Sequence, residues 1–172
     1  MPDTVTESLR RDPAAVAKSW SDYKAANPKS RARDAAAAIG VSEGELVATQ
    51  VGAGGATRLQ PRWKAPPGAL PRLGTVMALT RNDWAVHEKV GRYDQVQVSD
   101  MGGIVLDPDI DLRLFFSRWH HGFAIVEAEG RRSLQVFDRD GTAVHKVFLR
   151  DEGGDKAAFD KLAADFRHQD QA

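Results

Sequence analysis

The middle of the chain reads Val76-Met-Ala-Leu-Thr-Arg-Asn-Asp-Trp-Ala-Val-His-Glu-Lys-Val-Gly-Arg-Tyr93, where short β-branched and aromatic runs are separated by turn residues. Runs of this kind are typical of antiparallel strands. The pattern continues to Arg150 and predicts strands near residues 76–80, 85–90, 95–98, 104–106, 112–116, 123–127, 133–137 and 143–149. Asp140-Gly141, between the last two, predicts a tight hairpin because glycine accepts the positive φ that such turns need.

The first fifty residues carry helix signals instead. Asp12-Pro13 begins a first helix, because aspartate caps the free N–H groups and proline fits the first turn, and this helix ends before Pro28. A second helix is predicted over residues 29–39. A capping box at Ser42-Glu-Gly-Glu45 opens a third, short helix that reaches about Gln50.

The whole pattern is that of an α+β domain covering residues 1–172. Its helical part is 12–50, and a linker at 51–73, rich in proline and glycine, is predicted to have little regular structure. Residues 74–150 form a large antiparallel β-sheet meander, and a carboxy-terminal helix at 155–167 has its apolar residues on one face.

Composition excludes several classes of protein. The chain has 172 residues, 42% of them hydrophobic and 28% charged, which are the values of an ordinary globular domain. Lys and Arg together number 24, as do Asp and Glu, so no overall field recruits nucleic acid and an anionic ligand needs a local cluster. There is no cysteine, no apolar signal segment and no run long enough for a membrane span. We therefore expect a cytoplasmic protein.

Residues 31–47 are similar in pattern to a helix-turn-helix, with small residues in the first helix and Gly-Val-Ser at the turn. The second helix has Glu43 and Glu45 at the end that would enter the major groove, and it contains no Lys or Arg. Carboxylates at that position would be repelled by phosphates. We favour a helical hairpin packed on the sheet, and a DNA-binding regulator remains the alternative.

Arg113 and Phe115 share one face of a predicted strand, because alternate strand residues point the same way. A guanidinium beside an aromatic ring can contact a flat conjugated ligand and reach an anion. The competing interpretation is an exposed arginine above a half-buried phenylalanine.

Four of the five histidines lie in the β region. Lys89 shares the predicted strand face of His87, and a neutral imidazole there could bind ferric iron or serve as a hydrogen-bonded structural group. Adjacent His120 and His121 cannot both face one pocket and are assigned to packing, and His145 is assigned a structural role.

The stretch 76–93, together with Ile110-Asp-Leu-Arg-Leu-Phe-Phe-Ser-Arg-Trp-His-His-Gly-Phe123, resembles the bacterial haemin-degrading and haemin-transport factors (the HemS/HmuS family). Those proteins carry two such repeats in tandem, and this chain is similar to the first repeat alone. The resemblance implies that Arg113 lies on the distal side of the haem and that Phe115 packs on the macrocycle. It also implies that the proximal histidine belongs to the second repeat, with His87 at the matching place in the first.

We therefore interpret the chain as an intracellular haem-binding domain, half of a two-repeat protein that carries or degrades haem for iron acquisition. Expected partners are haem and a second repeat or a second copy, with neither nucleic acid nor a membrane span. Haem degradation is expected only in the two-repeat protein, and no catalytic residue or metal ligand is assigned. A further alternative, which involves neither ligand nor DNA, is that the chain is a structural or dimerisation half of the protein and holds no ligand.

Overall fold

The amino-terminal helices follow the predicted caps. The computed structural model describes residues 11–52 and 55–171, and these helices are α1 (Pro13–Ala26), α2 (Ala32–Ile39) and α3 (Glu43–Ala48). The Asp12 carboxylate accepts a hydrogen bond from the Ala14 N–H at 3.1 Å. Ser42 and Glu45 form the capping box in both directions. The second helix starts three residues later than predicted and the third ends two residues earlier, because terminal turns lack internal hydrogen-bond partners.

Strands overlap each predicted position in the β region, but the strand predicted at 112–116 ends at Leu114, so the prediction that Phe115 lies in it was wrong. The strands of the described residues are β1 (Ala56–Arg58), β2 (Gly74–Arg81), β3 (Val86–Gly91), β4 (Val96–Val98), β5 (Gly103–Leu106), β6 (Asp111–Leu114), β7 (His121–Val126), β8 (Arg132–Phe137) and β9 (Ala143–Gly154). Gly141 in the turn between the last two has φ +84°, as the hairpin prediction required.

The strands form two antiparallel sheets. The large sheet has the order β1-β7-β8-β9-β2-β3, and the small sheet has the order β4-β5-β6. The α+β class is confirmed, but the strands do not follow one another as a single meander. Residues 92–120 leave the large sheet after β3 and return as β7, because the inner face of the small sheet, including Val105 and Leu114, is buried in the core shared with the large sheet.

The predicted linker at residues 51–73 is largely regular structure. Besides β1, which pairs with β7, it contains a short helix α4 (Ala65–Ala69) and a 3₁₀ helix (Leu70–Leu73). The prediction of an irregular segment was wrong because prolines stand in the first turns of both helices, where a missing N–H breaks no hydrogen bond.

Two cores lie on opposite faces of the large sheet. The main core joins one face to the small sheet, the 3₁₀ helix and the terminal helix α5 (Lys156–Asp165), which contributes Phe159 and Leu162. The second core joins the other face to α3 through Val47, Phe123 and Phe137. The small sheet is thus fixed to the face opposite α3.

The α2–α3 hairpin packs on the protein, as its structural interpretation predicted. Glu43 at the start of α3 forms an ion pair with Lys146 of β9, and each side chain is 10% exposed. The Gly44 N–H donates to the Gly141 carbonyl at 2.9 Å, and a Cβ at Gly44 would lie 2.9 Å from the Gly141 Cα. Only glycine permits this approach of helix to turn.

Candidate functional site

Arg113 lies in the third strand of the small sheet, on an apolar surface. In the antiparallel register Ile104 is directly opposite Arg113, and Leu106 is opposite Asp111. Ile104 and Leu106 are 36% and 42% exposed, whereas Val105 between them is fully buried. Alternation along β5 therefore turns two large aliphatic side chains outward, beside the guanidinium.

Phe115 extends this surface at one end. The strand ends at Leu114, one residue before Phe115, whose backbone is still extended and whose ring is 64% exposed. The turn between β4 and β5 is adjacent, because a Cβ on Gly102 would lie 3.9 Å from the Phe115 Cα. That turn also carries Met101, which is almost fully exposed. We call Met101, Ile104, Leu106, Arg113 and Phe115 the outer surface of the small sheet.

The guanidinium of Arg113 has one carboxylate partner. Its Nη1 donates to the Asp111 Oδ1 at 2.6 Å, and both side chains are more than half exposed. Within residues 11–52 and 55–171 the guanidinium has no other side-chain partner, so most of its five N–H donors are available. Exposed ion pairs of this kind contribute only about 0–1 kcal/mol, so a bound anion can compete with Asp111.

His87 lies on the other sheet. It belongs to the edge strand β3, is exposed and is paired with Thr80 of β2. Lys89, on the same face, forms an ion pair at 3.2 Å with Asp109 in the loop that precedes β6. The structure thus places Arg113 in the small sheet, with Phe115 just beyond the end of its strand, and His87 in the large sheet.

His145 is the buried histidine of the domain core. Its Nε2 lies 2.7 Å from the Tyr93 hydroxyl, and its Nδ1 lies 3.1 Å from the Thr80 hydroxyl. Its ring stacks on Trp119 with an interplanar angle of 16°. Burial, and secondarily the nearby charge of His87, lower the pKa of His145 to about 4. A neutral, doubly hydrogen-bonded ring matches the structural role expected from the sequence.

An open polar groove lies near the start of β7, at the end of the β8–β9 hairpin. It is lined by Ser117, Arg118, His120, Asp138, Arg139 and Asp140. No hydrogen bond joins Ser117 to His120 among the described residues, so these two do not form a nucleophile and base. Neither in this groove nor elsewhere among the described residues are three histidine or carboxylate side chains grouped as metal ligands.

Residue patterns did not reveal the aliphatic neighbours of Arg113. The four residues Gly103-Ile-Val-Leu106 predict a strand, but both of its faces are apolar apart from the glycine. Period two alone cannot tell which face is outward. A usable signal was the Asp-Pro-Asp sequence after Leu106, which predicts a turn that brings the next strand, with Arg113, alongside.

Within the described residues, no helix is both long enough and apolar enough to cross a membrane.

Comparison with known proteins places these features in a family. The model of the haemin-degrading HemS/ChuX domain matches residues 40–166. The hemin transport protein HmuS of Yersinia pestis is 40% identical over 157 residues, which is 89% of this chain and 45% of HmuS. The chain thus spans about half the length of the curated relatives it matches.

Solved structures agree with this assignment. The apo form of PhuS, a heme-binding protein from Pseudomonas aeruginosa, superposes with a TM-score of 0.89 at 51% identity, over 93% of this chain and 47% of PhuS. The heme-degrading enzyme ChuS of Escherichia coli O157:H7 has a TM-score of 0.85 at 33% identity, over 94% of this chain and 49% of ChuS. The chain, with its helical hairpin, its six-stranded sheet and its small sheet, belongs to the haemin-degrading HemS/ChuX domain family.

Proposed function

We propose that this chain is a haem-binding domain, the amino-terminal half of a two-repeat protein of haem transport or degradation, and that haem lies on the outer surface of the small sheet. The observation that carries the proposal is the position of Arg113 among exposed Ile104, Leu106 and Phe115. Apolar side chains exposed next to one another mark a candidate surface for a ligand or a partner.

The chemistry of this surface suits a tetrapyrrole. A flat apolar ring can cover Ile104, Leu106 and Phe115, which removes apolar area from water, while the free N–H donors of Arg113 meet an anionic or oxygen group. In the resemblance, that group is on the distal side of the iron. An arginine suits this role because its planar fork of donors stays charged at any physiological pH.

The iron needs an axial ligand from elsewhere. His87 is exposed and is free of hydrogen bonds to other described side chains, but it lies on the large sheet. We infer that the second repeat supplies the proximal histidine, as the resemblance implies, and that this chain alone holds haem weakly. Oxidative opening of the ring is accordingly a property of the two-repeat protein.

We infer that the domain pairs with a second repeat or with a second copy of itself. The relatives are about twice as long as the region they share with this chain. The edge strand β3 has no strand partner on its outer side among the described residues, and it exposes Val86 and Val90, with Trp84 in the preceding turn 93% exposed. Such an edge is favourable for burial by a partner. We place the protein in the cytoplasm.

The test is a titration of ferric haem followed by absorbance, with the unmodified chain, Arg113→Ala and Arg131→Ala. Arg131 is the matched control, because it is an exposed arginine paired with Glu127 in the turn between β7 and β8. We expect saturable binding that Arg113→Ala weakens and Arg131→Ala leaves unchanged. Equal affinities for all three proteins would overturn the proposed site, and no saturable binding even with both repeats present would overturn the function.

A further inference from the structure

The small sheet is inserted in the chain between β3 and β7 of the large sheet, so two connecting segments join the two sheets. The chain leaves after Gly91 and returns at His121. Each connection buries one aromatic side chain close to the large sheet: Tyr93 is 0% exposed and Trp119 is 6% exposed. The surface that carries Arg113 and Phe115 is held between these two connections.

His145 contacts both connections at once. Its Nε2 is 2.7 Å from the hydroxyl of Tyr93, and its ring stacks on Trp119. His145 belongs to β9, and its Nδ1 lies 3.1 Å from the hydroxyl of Thr80 in the neighbouring strand β2. The ring is therefore held by the large sheet itself. One side chain therefore joins the entry and the exit of the small sheet.

A chain of contacts runs from His145 to the outer surface. The Trp119 ring meets the Phe116 ring edge-on, with 5.1 Å between centroids. A Cβ on Gly103 would lie 3.0 Å from the Phe116 ring, so that ring fills the space left by the glycine in β5. Phe116 directly follows Phe115, so a shift of Trp119 displaces the end of the outer surface.

The hydrogen bonds of His145 are matched to a neutral ring. One ring nitrogen then donates and the other accepts, and each hydroxyl, that of Tyr93 and that of Thr80, can take the complementary role. Both partners are needed, because a buried imidazole nitrogen without a hydrogen-bond partner has lost its hydration without compensation, which destabilises the folded state. The orientation of the ring, and with it the stack on Trp119, is therefore fixed by two hydrogen bonds at opposite sides of the ring.

We infer that His145 is a positioning residue, which through Tyr93 and Trp119 sets the small sheet and its outer surface relative to the large sheet. Its consequence for haem rests on the proposed function. Apolar contacts of Val105, Ile110 and Leu114 also hold the small sheet to the core. Loss of the His145 contacts is thus expected to loosen the small sheet locally without unfolding the domain.

The test is amide hydrogen exchange of the ligand-free chain, resolved by segment, for Tyr93→Phe and His145→Phe. Tyr93→Phe removes the hydroxyl that bonds to His145 Nε2. His145→Phe removes this hydrogen bond and the one to Thr80, while keeping an aromatic ring against Trp119. The matched control is Phe159→Leu in α5, a buried core position outside the small sheet. We expect exchange in residues 96–114 to accelerate about three- to tenfold for Tyr93→Phe, the equivalent of one net hydrogen bond, relative to the large sheet.

Equal changes in the two sheets, or a pattern the same as that of Phe159→Leu, would overturn the inference. If His145→Phe does not fold, Tyr93→Phe still decides, because it changes one atom. A ferric haem titration of Tyr93→Phe follows, with weaker binding expected. A third outcome is faster exchange confined to the small sheet, with a haem affinity that neither Tyr93→Phe nor Arg113→Ala changes. That outcome would support the positioning role of His145 and would overturn the proposed haem surface.

Discussion

Arg113 lies directly opposite Ile104 in the pairing of β5 and β6, so a charged side chain stands beside an exposed aliphatic one. The side chain of Arg113 is 52% exposed and Ile104 is 36% exposed, so both residues reach solvent on this face of the small sheet. A flat ligand with a polar group near the arginine would remove this apolar area from water and meet the free N–H donors of Arg113.

The substitution Arg113→Ala is expected to affect haem and not folding. The side chain is half exposed, so the free energy of unfolding should change by about 0.5 kcal/mol or less. Loss of a charge-assisted hydrogen bond to the ligand, roughly 1.5–3 kcal/mol, should weaken haem binding about tenfold to hundredfold. Arg113→Lys should restore part of this, since an ammonium lacks the planar fork. The comparison is best made by titration in a protein with both repeats. Unchanged affinity with a lower Tm would make Arg113 structural.

The isolated chain is expected to bind ferric haem weakly and without strong axial coordination. The reason is that the resemblance assigns the proximal histidine to the second repeat, and the five residues of the outer surface of the small sheet include no histidine. Absorbance spectra of the chain and of His87→Ala should be alike. A low-spin, six-coordinate spectrum with submicromolar affinity that disappears in His87→Ala would instead identify His87 as the ligand.

Acid is expected to destabilise the fold through His145. Its pKa falls from an ordinary 6.5 to about 4 in the folded chain, so between these values the unfolded chain binds a proton that the folded chain does not. The stabilising contribution is complete above pH 6.5 and is lost as the pH falls toward 4, by about 3 kcal/mol in total. Chemical denaturation at several pH values measures this slope.

Two variants, His145→Phe and Phe159→Leu, are the controls for that measurement. His145→Phe should flatten the pH dependence between 6.5 and 4, whereas Phe159→Leu should lower stability at every pH and keep the slope. Identical slopes for His145→Phe and the unmodified chain would assign the acid sensitivity to other groups.

The ion pair of Glu43 with Lys146 is expected to matter for stability because both side chains are 10% exposed. Lys146→Met keeps the aliphatic stem but leaves the buried Glu43 carboxylate without its cation. Removal of one partner of a buried ion pair costs about 3–5 kcal/mol. Glu43→Gln combined with Lys146→Met should recover much of the loss. A double-mutant cycle on Tm and on the free energy of unfolding checks this. Additive losses would show that the two side chains do not interact.

Local signals were reliable because they act over a few residues. The cap at Asp12, the capping box of Ser42 and Glu45, and the turn at Gly141 each depend on hydrogen bonds or φ values within one turn of chain. Strand positions were also recognisable, because β-branched and aromatic residues fit a pleated, half-buried surface and turn residues separate the runs. Failure came in residues 51–73, since proline and glycine mark both turns and the first turns of helices.

The sequence by itself determined the three amino-terminal helices, the carboxy-terminal helix, most of the strands and the α+β class. Only the tertiary structure decided that Ile104 lies opposite Arg113, that His87 stands on a different sheet, and that the ring of His145 meets Tyr93, 52 residues away in the chain. Such contacts depend on which strands pair and which face turns inward. Pairing between distant segments is selected by the burial of whole surfaces, a property that no short stretch of residues contains.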